Sequence, residues 1–141
     1  MRYVLDSNVA VKWVLEEDLS DKARQIRGDF AQGVHELLAP DVFLAEVAHA
    51  LTRAQRQGRI TPLEVDLFMA DLLTTLPRFH SYVPLLSRAI EIAVHARIGV
   101  YDCLYVALAE AESCELLTAD DRLVRTLVTT FPFVTSLASL S

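Results

Sequence analysis

Tyr3-Val4-Leu5-Asp6-Ser7-Asn8 is the stretch on which the fold turns. Three apolar residues suit a short buried strand, and the acid, hydroxyl and amide that follow are the side chains that cap a helix start. Val9, Val11, Trp13, Val14 and Leu15 then crowd at helical spacing, so the segment reads as strand, sharp turn, helix. The same alternation continues downstream. A helix from about Ser20 to Gln32 opens at a Ser20-Asp21 cap and closes at Gly33, and Leu37-Leu38-Ala39 is a short strand stopped by Pro40. Asp41 caps a helix carrying Phe43, Leu44, Val47, Ala48, Leu51 and Ala54, which ends before Gly58. Thr61-Pro62 opens a helix reaching to Pro77, the first helical position being one where proline does no harm.

A strand at His80-Ser81-Tyr82-Val83 follows, then a helix from Leu85 to Ala96 with Leu86, Ala89, Ile90 and Ala93 inward. Gly99 breaks the chain before an apolar helix from Tyr101 to Glu112. A strand at Glu115-Leu116-Leu117-Thr118, a helix from Asp121 to Leu127 and a strand at Phe133-Val134-Thr135 complete it. The strands lack polar alternation, so both faces of their sheet should be covered. Strands alternating with helices predict a three-layer α/β/α sandwich around a central parallel sheet, one domain over residues 1–141.

The composition narrows the function classes. The chain carries 13 Lys and Arg against 19 Asp and Glu, a net charge of −6, and is 52% hydrophobic. That excludes disorder, and no apolar run approaches the ~20 residues of a membrane span. The opening residues lack a signal peptide's apolar segment. Cys103 and Cys114, both placed in apolar helical context, form no paired-thiol motif, and His35, His49, His80 and His95 stand apart, which argues against zinc. Free thiols of this kind fit a reducing cytoplasm, the expected location. The acidic balance argues against a broad basic face for nucleic acid, though not against a local site that acts on it.

Four acids carry the chemistry. In an open α/β sheet, ligands bind beyond the carboxyl ends of the strands. Asp6 follows the first strand, Asp120 follows Thr118 by one residue, and Asp102 starts a helix that is otherwise almost wholly apolar. Glu46 interrupts a helix, with Val42, Phe43, His49 and Ala50 one turn away. Each has a plain structural reading, the three Asp as helix caps and Glu46 as a snorkelling or arginine-paired side chain. Caps do not explain the glutamate or the convergence at the strand edges. Crowded carboxylates repel, and a hard divalent cation such as Mg²⁺ removes that cost while leaving room for phosphate oxygens.

Val4-Leu5-Asp6-Ser7-Asn8, Glu46 on the helix after Pro40-Asp41, the block Tyr101-Asp102-Cys103-Leu104-Tyr105-Val106-Ala107-Leu108-Ala109, and Leu117-Thr118-Ala119-Asp120 together resemble the PIN-domain family. Within it they resemble the VapC-type toxin ribonucleases of toxin–antitoxin pairs, over essentially the whole chain. The resemblance implies that Asp6, Glu46, Asp102 and Asp120 form an acidic quartet holding Mg²⁺ or Mn²⁺. It matches Ser7 to the hydroxyl beside the first acid and Thr118 to the hydroxyl of the fourth motif, with Asn8 compatible. Asp120 and Asp121 are adjacent; register favours Asp120 as the ligand and Asp121 as the cap of the next helix. The implied activity is metal-assisted hydrolysis of RNA phosphodiesters, leaving 5′-phosphate and 3′-hydroxyl ends. Lys12, Arg53, Arg56 and Arg59 are candidate contacts to RNA or to an antitoxin. A homodimer and a cognate antitoxin, its tail in the acidic site, are further implications. The helices over Asp41 to Pro77 carry surplus apolar residues for such interfaces, among them Leu44, Leu51, Leu63, Leu67, Leu72 and Leu76.

Two other readings compete. An aspartate-based phosphatase needs a lysine near a later strand end, whereas Lys12 and Lys22 are both early and Asn8 stands where the second Asp would be. A catalytically inactive PIN-like binding module would keep the acids as caps and ion pairs.

Overall fold

Asp6 and Asp120 gain their positions from a five-stranded parallel sheet. The computed structural model describes residues 1–140. The strands are β1 (Arg2–Leu5), β2 (Glu36–Pro40), β3 (Arg78–His80), β4 (Glu115–Thr118) and β5 (Val134–Ser136), in the order β3-β2-β1-β4-β5. Every neighbouring pair is parallel, with Val4 opposite both Leu38 and Leu116 and Leu5 opposite Leu117. The strand order reverses at β1, so the carboxyl ends of β1 and β4 flank a topological switch point, where a parallel sheet leaves a crevice for ligands.

The helices are α1 (Ser7–Val11), α2 (Ser20–Ala31), α3 (Phe43–Arg56), α4 (Pro62–Leu72), α5 (Leu86–Ala96), α6 (Val100–Ala111) and α7 (Asp121–Leu127), and they complete the α/β/α sandwich. The interior helix is α6. Cys103 through Ala109 are all buried, and α6 packs on β1, β2, β4 and α5. This unbroken apolar run needs cover on every side, which the sheet and α5 supply. Among the described residues no single helix is long and apolar enough to cross a membrane; α5 and α6 qualify only as a pair bent by 118°.

Several local expectations change for tertiary reasons. Asp41 does not cap α3; its carboxylate accepts the Tyr82 N–H at 3.0 Å and ties the end of β2 to the turn after β3. Ser20 lies inside α2, donating to the Leu15 carbonyl and accepting the Glu17 N–H, while Leu19 precedes it in a left-handed conformation. Thr61 does cap α4, through a reciprocal pair with Glu64, yet that helix ends at Leu72, short of Pro77. Strand β3 stops at His80, and Val83 begins a short 3₁₀ turn. In α5 Ala89 and Ile92 are buried and Leu86 and Ala93 pack against the core as expected, but Ile90 is exposed. Cys114 lies in the turn after α6 and not in a helix; it and Cys103 are both free thiols.

Candidate active site

Asp6 leaves β1 with its N–H still on the sheet ladder, donating to the Leu117 carbonyl at 3.0 Å. Its carboxylate then caps α1 by accepting the Asn8 N–H, and accepts the Thr118 hydroxyl at 2.9 Å. The residue is only 4% exposed. Burial, and then the charge of Asp102, raises its carboxyl from the ordinary 3.8 to about 7, with Glu46 adding a smaller push. Two hydrogen bonds, from Thr118 and Asn8, oppose that shift without cancelling it.

Thr118 is the hub. Its hydroxyl donates to Asp6 and accepts the Asn8 side-chain amide at 3.2 Å and the Asp120 N–H at 3.1 Å, which uses its whole hydrogen-bonding capacity. Asn8 in turn accepts the Ala119 N–H at 3.0 Å. These bonds lock the exit of β4 against the start of α1. Asp120 is thereby held as the cap of α7, accepting the Leu123 N–H at 3.1 Å. Asp121 points elsewhere, its carboxylate accepting the Ser136 hydroxyl at 2.6 Å. The cap expected of Asp121 therefore belongs to Asp120, which occupies the site as well.

Glu46 reaches the same neighbourhood from α3. Its Oε1 accepts the Tyr105 hydroxyl at 2.5 Å and the Ser7 hydroxyl at 3.4 Å. Tyr105 is 1% exposed, and burial with the nearby Asp6 and Glu46 charges pushes its phenol well above the usual range, so it stays a neutral donor. From sequence it had no role beyond its place in the 101–109 block. The available signal was its place three residues after Asp102, on the same face of α6. Asp102 sits in the first turn of α6, behind Gly99, and caps nothing. Burial raises its carboxyl, and Asp120 and Glu46 raise it further.

Asp6 thus feels the charges of Asp102 and Glu46, and Asp102 those of Asp120 and Glu46. Among the described residues no three Asp, Glu, His or Cys side chains form a ready-made metal cage. A hard cation that keeps several of its waters needs only one or two direct carboxylates, and the donors here are all oxygens. That donor set, with the raised Asp6 and Asp102, fits a divalent ion of the Mg²⁺ class.

Two cavities border the cluster. One, of about 360 Å³, is lined by Asp102, Asp120, Arg97, Arg122 and Thr126. The other, of about 580 Å³, is lined by Ser7, Glu46, His49 and Tyr101. Of the cations proposed from sequence, Arg53 lines a further cleft with Asn8 and His49. Lys12 is drawn to Glu17 at 3.5 Å, and Arg59 pairs with the same acid at 3.0 Å. Arg56 is exposed in the last turn of α3, beside no carboxylate among the described residues. Arg97 and Arg122 were not anticipated: folding alone brings Arg97 to the acids, whereas Arg122, two residues after Asp120, could have been found from the sequence.

The family model of the PIN domain matches residues 3–127. Ribonuclease VapC3 of Pyrobaculum aerophilum is 31% identical over 125 residues, 87% of this chain and 92% of that protein. Ribonuclease VapC3 of Mycobacterium tuberculosis is 37% identical over 106 residues, 75% of this chain and 74% of that protein. The crystal structure of PAE2754 from Pyrobaculum aerophilum covers 99% of this chain and 85% of its own, with a TM-score of 0.70 at 19% identity. That of VapBC2 from Rickettsia felis, bound to a DNA fragment from their promoter, covers 96% and 97% with a TM-score of 0.65 at 16% identity. These two structures bear on the fold, and the sequence matches on kinship. Fold, site and sequence agree that the chain belongs to the PIN-domain family, alongside the VapC ribonucleases.

Proposed function

We propose that the chain is a divalent-metal-dependent endoribonuclease, the toxin of a toxin–antitoxin pair, with Asp6, Glu46, Asp102 and Asp120 as its acid centre. The observation that carries this reading is Asp6, a carboxylate buried among other acids and lifted to about 7. Such a group ionises only at a cost, which a doubly charged ion beside it reverses. A bound Mg²⁺ or Mn²⁺ would supply Lewis acidity toward a phosphate oxygen and a water made nucleophilic near neutral pH.

The chain's own residues do the positioning. Thr118 and the Asn8 N–H hold Asp6 in one orientation, and Tyr105 with Ser7 does the same for Glu46. Fixed carboxylates lose no orientational freedom when charge arrives, which is what a preorganised site needs. Asp102 and Asp120 face the 360 Å³ cavity, where a phosphodiester can approach. RNA as the substrate is supported by the ribonuclease names of the relatives.

An antitoxin partner is supported by the likeness to VapBC2. The homodimer rests on α4, where Leu63 and Leu67 are 67% and 56% exposed and lie one turn apart. Of the other apolar residues expected to form interfaces, Leu51 and Leu72 are core.

The deciding experiment compares RNA cleavage by wild type and Asp6→Asn with Mg²⁺ or Mn²⁺ and with chelator. The reading expects divalent-dependent cleavage that falls at least ~100-fold in the variant. Undiminished cleavage by the variant would leave the acids as caps and ion pairs.

A further inference from the structure

We infer that Arg97 and Arg122 are a phosphate-gripping pair, holding the RNA backbone beside the bond that is cut, on the Asp102–Asp120 side of the acid centre. The inference rests on the nuclease reading and adds to it the substrate's path. Both arginines line the 360 Å³ cavity together with those two acids, and both are exposed. That volume lies at the lower end of the ~300–1,000 Å³ usual for ligand clefts.

Arg2, Arg24, Arg27, Arg59, Arg78 and Arg88 each pair with a carboxylate within 4.0 Å. Among the described residues Arg53, Arg56, Arg97, Arg122 and Arg125 do not, and of these five it is Arg97 and Arg122 that share a cavity with Asp102 and Asp120. Arginines meant to neutralise the acids would lie on them. These stand off, which leaves the carboxylates to a metal ion and the guanidinium forks to an incoming polyanion. A chain of net charge −6 repels RNA at long range, so its grip must be local.

Arg97 also occupies a costly position. It ends α5 at φ 57°, ψ 47°, the left-handed conformation that glycine adopts freely and a residue with a Cβ does not. Glycine would suit the backbone better, so the side chain is what this position retains.

That cost gives the test its control. Arg97→Gly, Arg122→Gln and Arg97→Lys are made in the full chain and assayed on a short unpaired RNA oligomer across a salt series. Arg97→Gly should hold or raise the melting temperature while KM rises about fivefold and kcat barely moves, with the same KM effect for Arg122→Gln. The salt dependence of log KM should become shallower by about 0.7 for each arginine removed, and Arg97→Lys should keep the wild-type slope. Wild-type KM and slope in both neutral variants would overturn the pairing while leaving the nuclease intact. Competition by a polyglutamate peptide as strong as by RNA would assign the pair to an acidic protein and overturn it. A wild-type chain that neither binds nor cuts RNA would remove the nuclease reading and this inference together.

Discussion

The Thr118 hydroxyl donates to the Asp6 carboxylate at 2.9 Å across 112 positions of sequence. This bond joins the ends of two adjacent strands, and through Asn8 and the Asp120 N–H it also sets the course of the chain into α7. Replacing Thr118 by Val keeps the shape and removes the hydroxyl. Buried polar groups on both sides lose a partner, each worth ~1–3 kcal/mol. We expect Thr118→Val to lower stability by about 2–3 kcal/mol in urea melts and Thr118→Ser to restore most of it. Equal stability of Thr118→Val and wild type would contradict the hub.

Tyr105→Phe removes only the donor to Glu46, because the ring is buried and stays in place. Glu46 keeps the longer Ser7 bond and loses its fixed direction. Partners of this kind are typically worth 10–100-fold in metal affinity or activity. RNA cleavage and Mn²⁺ titration should both fall in that range, with a small change in melting temperature. A variant that is unstable yet fully active per folded molecule would make Tyr105 a packing residue alone.

The raised Asp6 carboxyl gives the metal-free chain a pH dependence of definite sign. Between about 4 and about 7 the folded chain keeps a proton that the unfolded chain has released. Stability therefore declines as pH rises through that window, by on the order of 4 kcal/mol for this group, and levels off above it. In chelator, Asp6→Asn should remove that part of the decline and become the more stable protein at pH 8. Parallel stability curves for the two proteins would contradict the burial argument.

The exposed Leu63 and Leu67 predict a homodimer that Leu63→Lys with Leu67→Lys converts to a monomer. Both sites are solvent-facing, so the melting temperature of the monomer should drop only by the loss of association. Light scattering at micromolar concentration reads the outcome. A monomeric wild type would refute it.

Elements bounded by strong punctuation were legible in the sequence. Strand β4 and helix α7 coincide with their expected ranges, since Leu116-Leu117 is a short apolar centre and an acid pair follows Thr118 after one alanine. Caps were less legible, because Ser20 and Asp41 have the right chemistry but spend it on tertiary bonds that only folding creates. Helical phase failed at Ile90 for a similar reason: two isoleucines two residues apart cannot both face inward, and packing chose Ile92. Asp6 and Asp120 stood out by their strand-edge positions, Asp102 and Glu46 as lone acids in apolar helices. Tyr105 was missed because an aromatic in an apolar helix looks like core, and Arg97 because its neighbours at the site come from α6 and α7.

The central proposal is that four acids from distant stretches of chain border one site for a divalent ion. Crystals soaked in Mn²⁺ and measured at a wavelength that excites its anomalous scattering test this directly. The account predicts an anomalous peak bounded by Asp6, Glu46, Asp102 and Asp120 that vanishes in Asp6→Asn. Peaks confined to other surfaces, or one that persists undiminished in the variant, would contradict it.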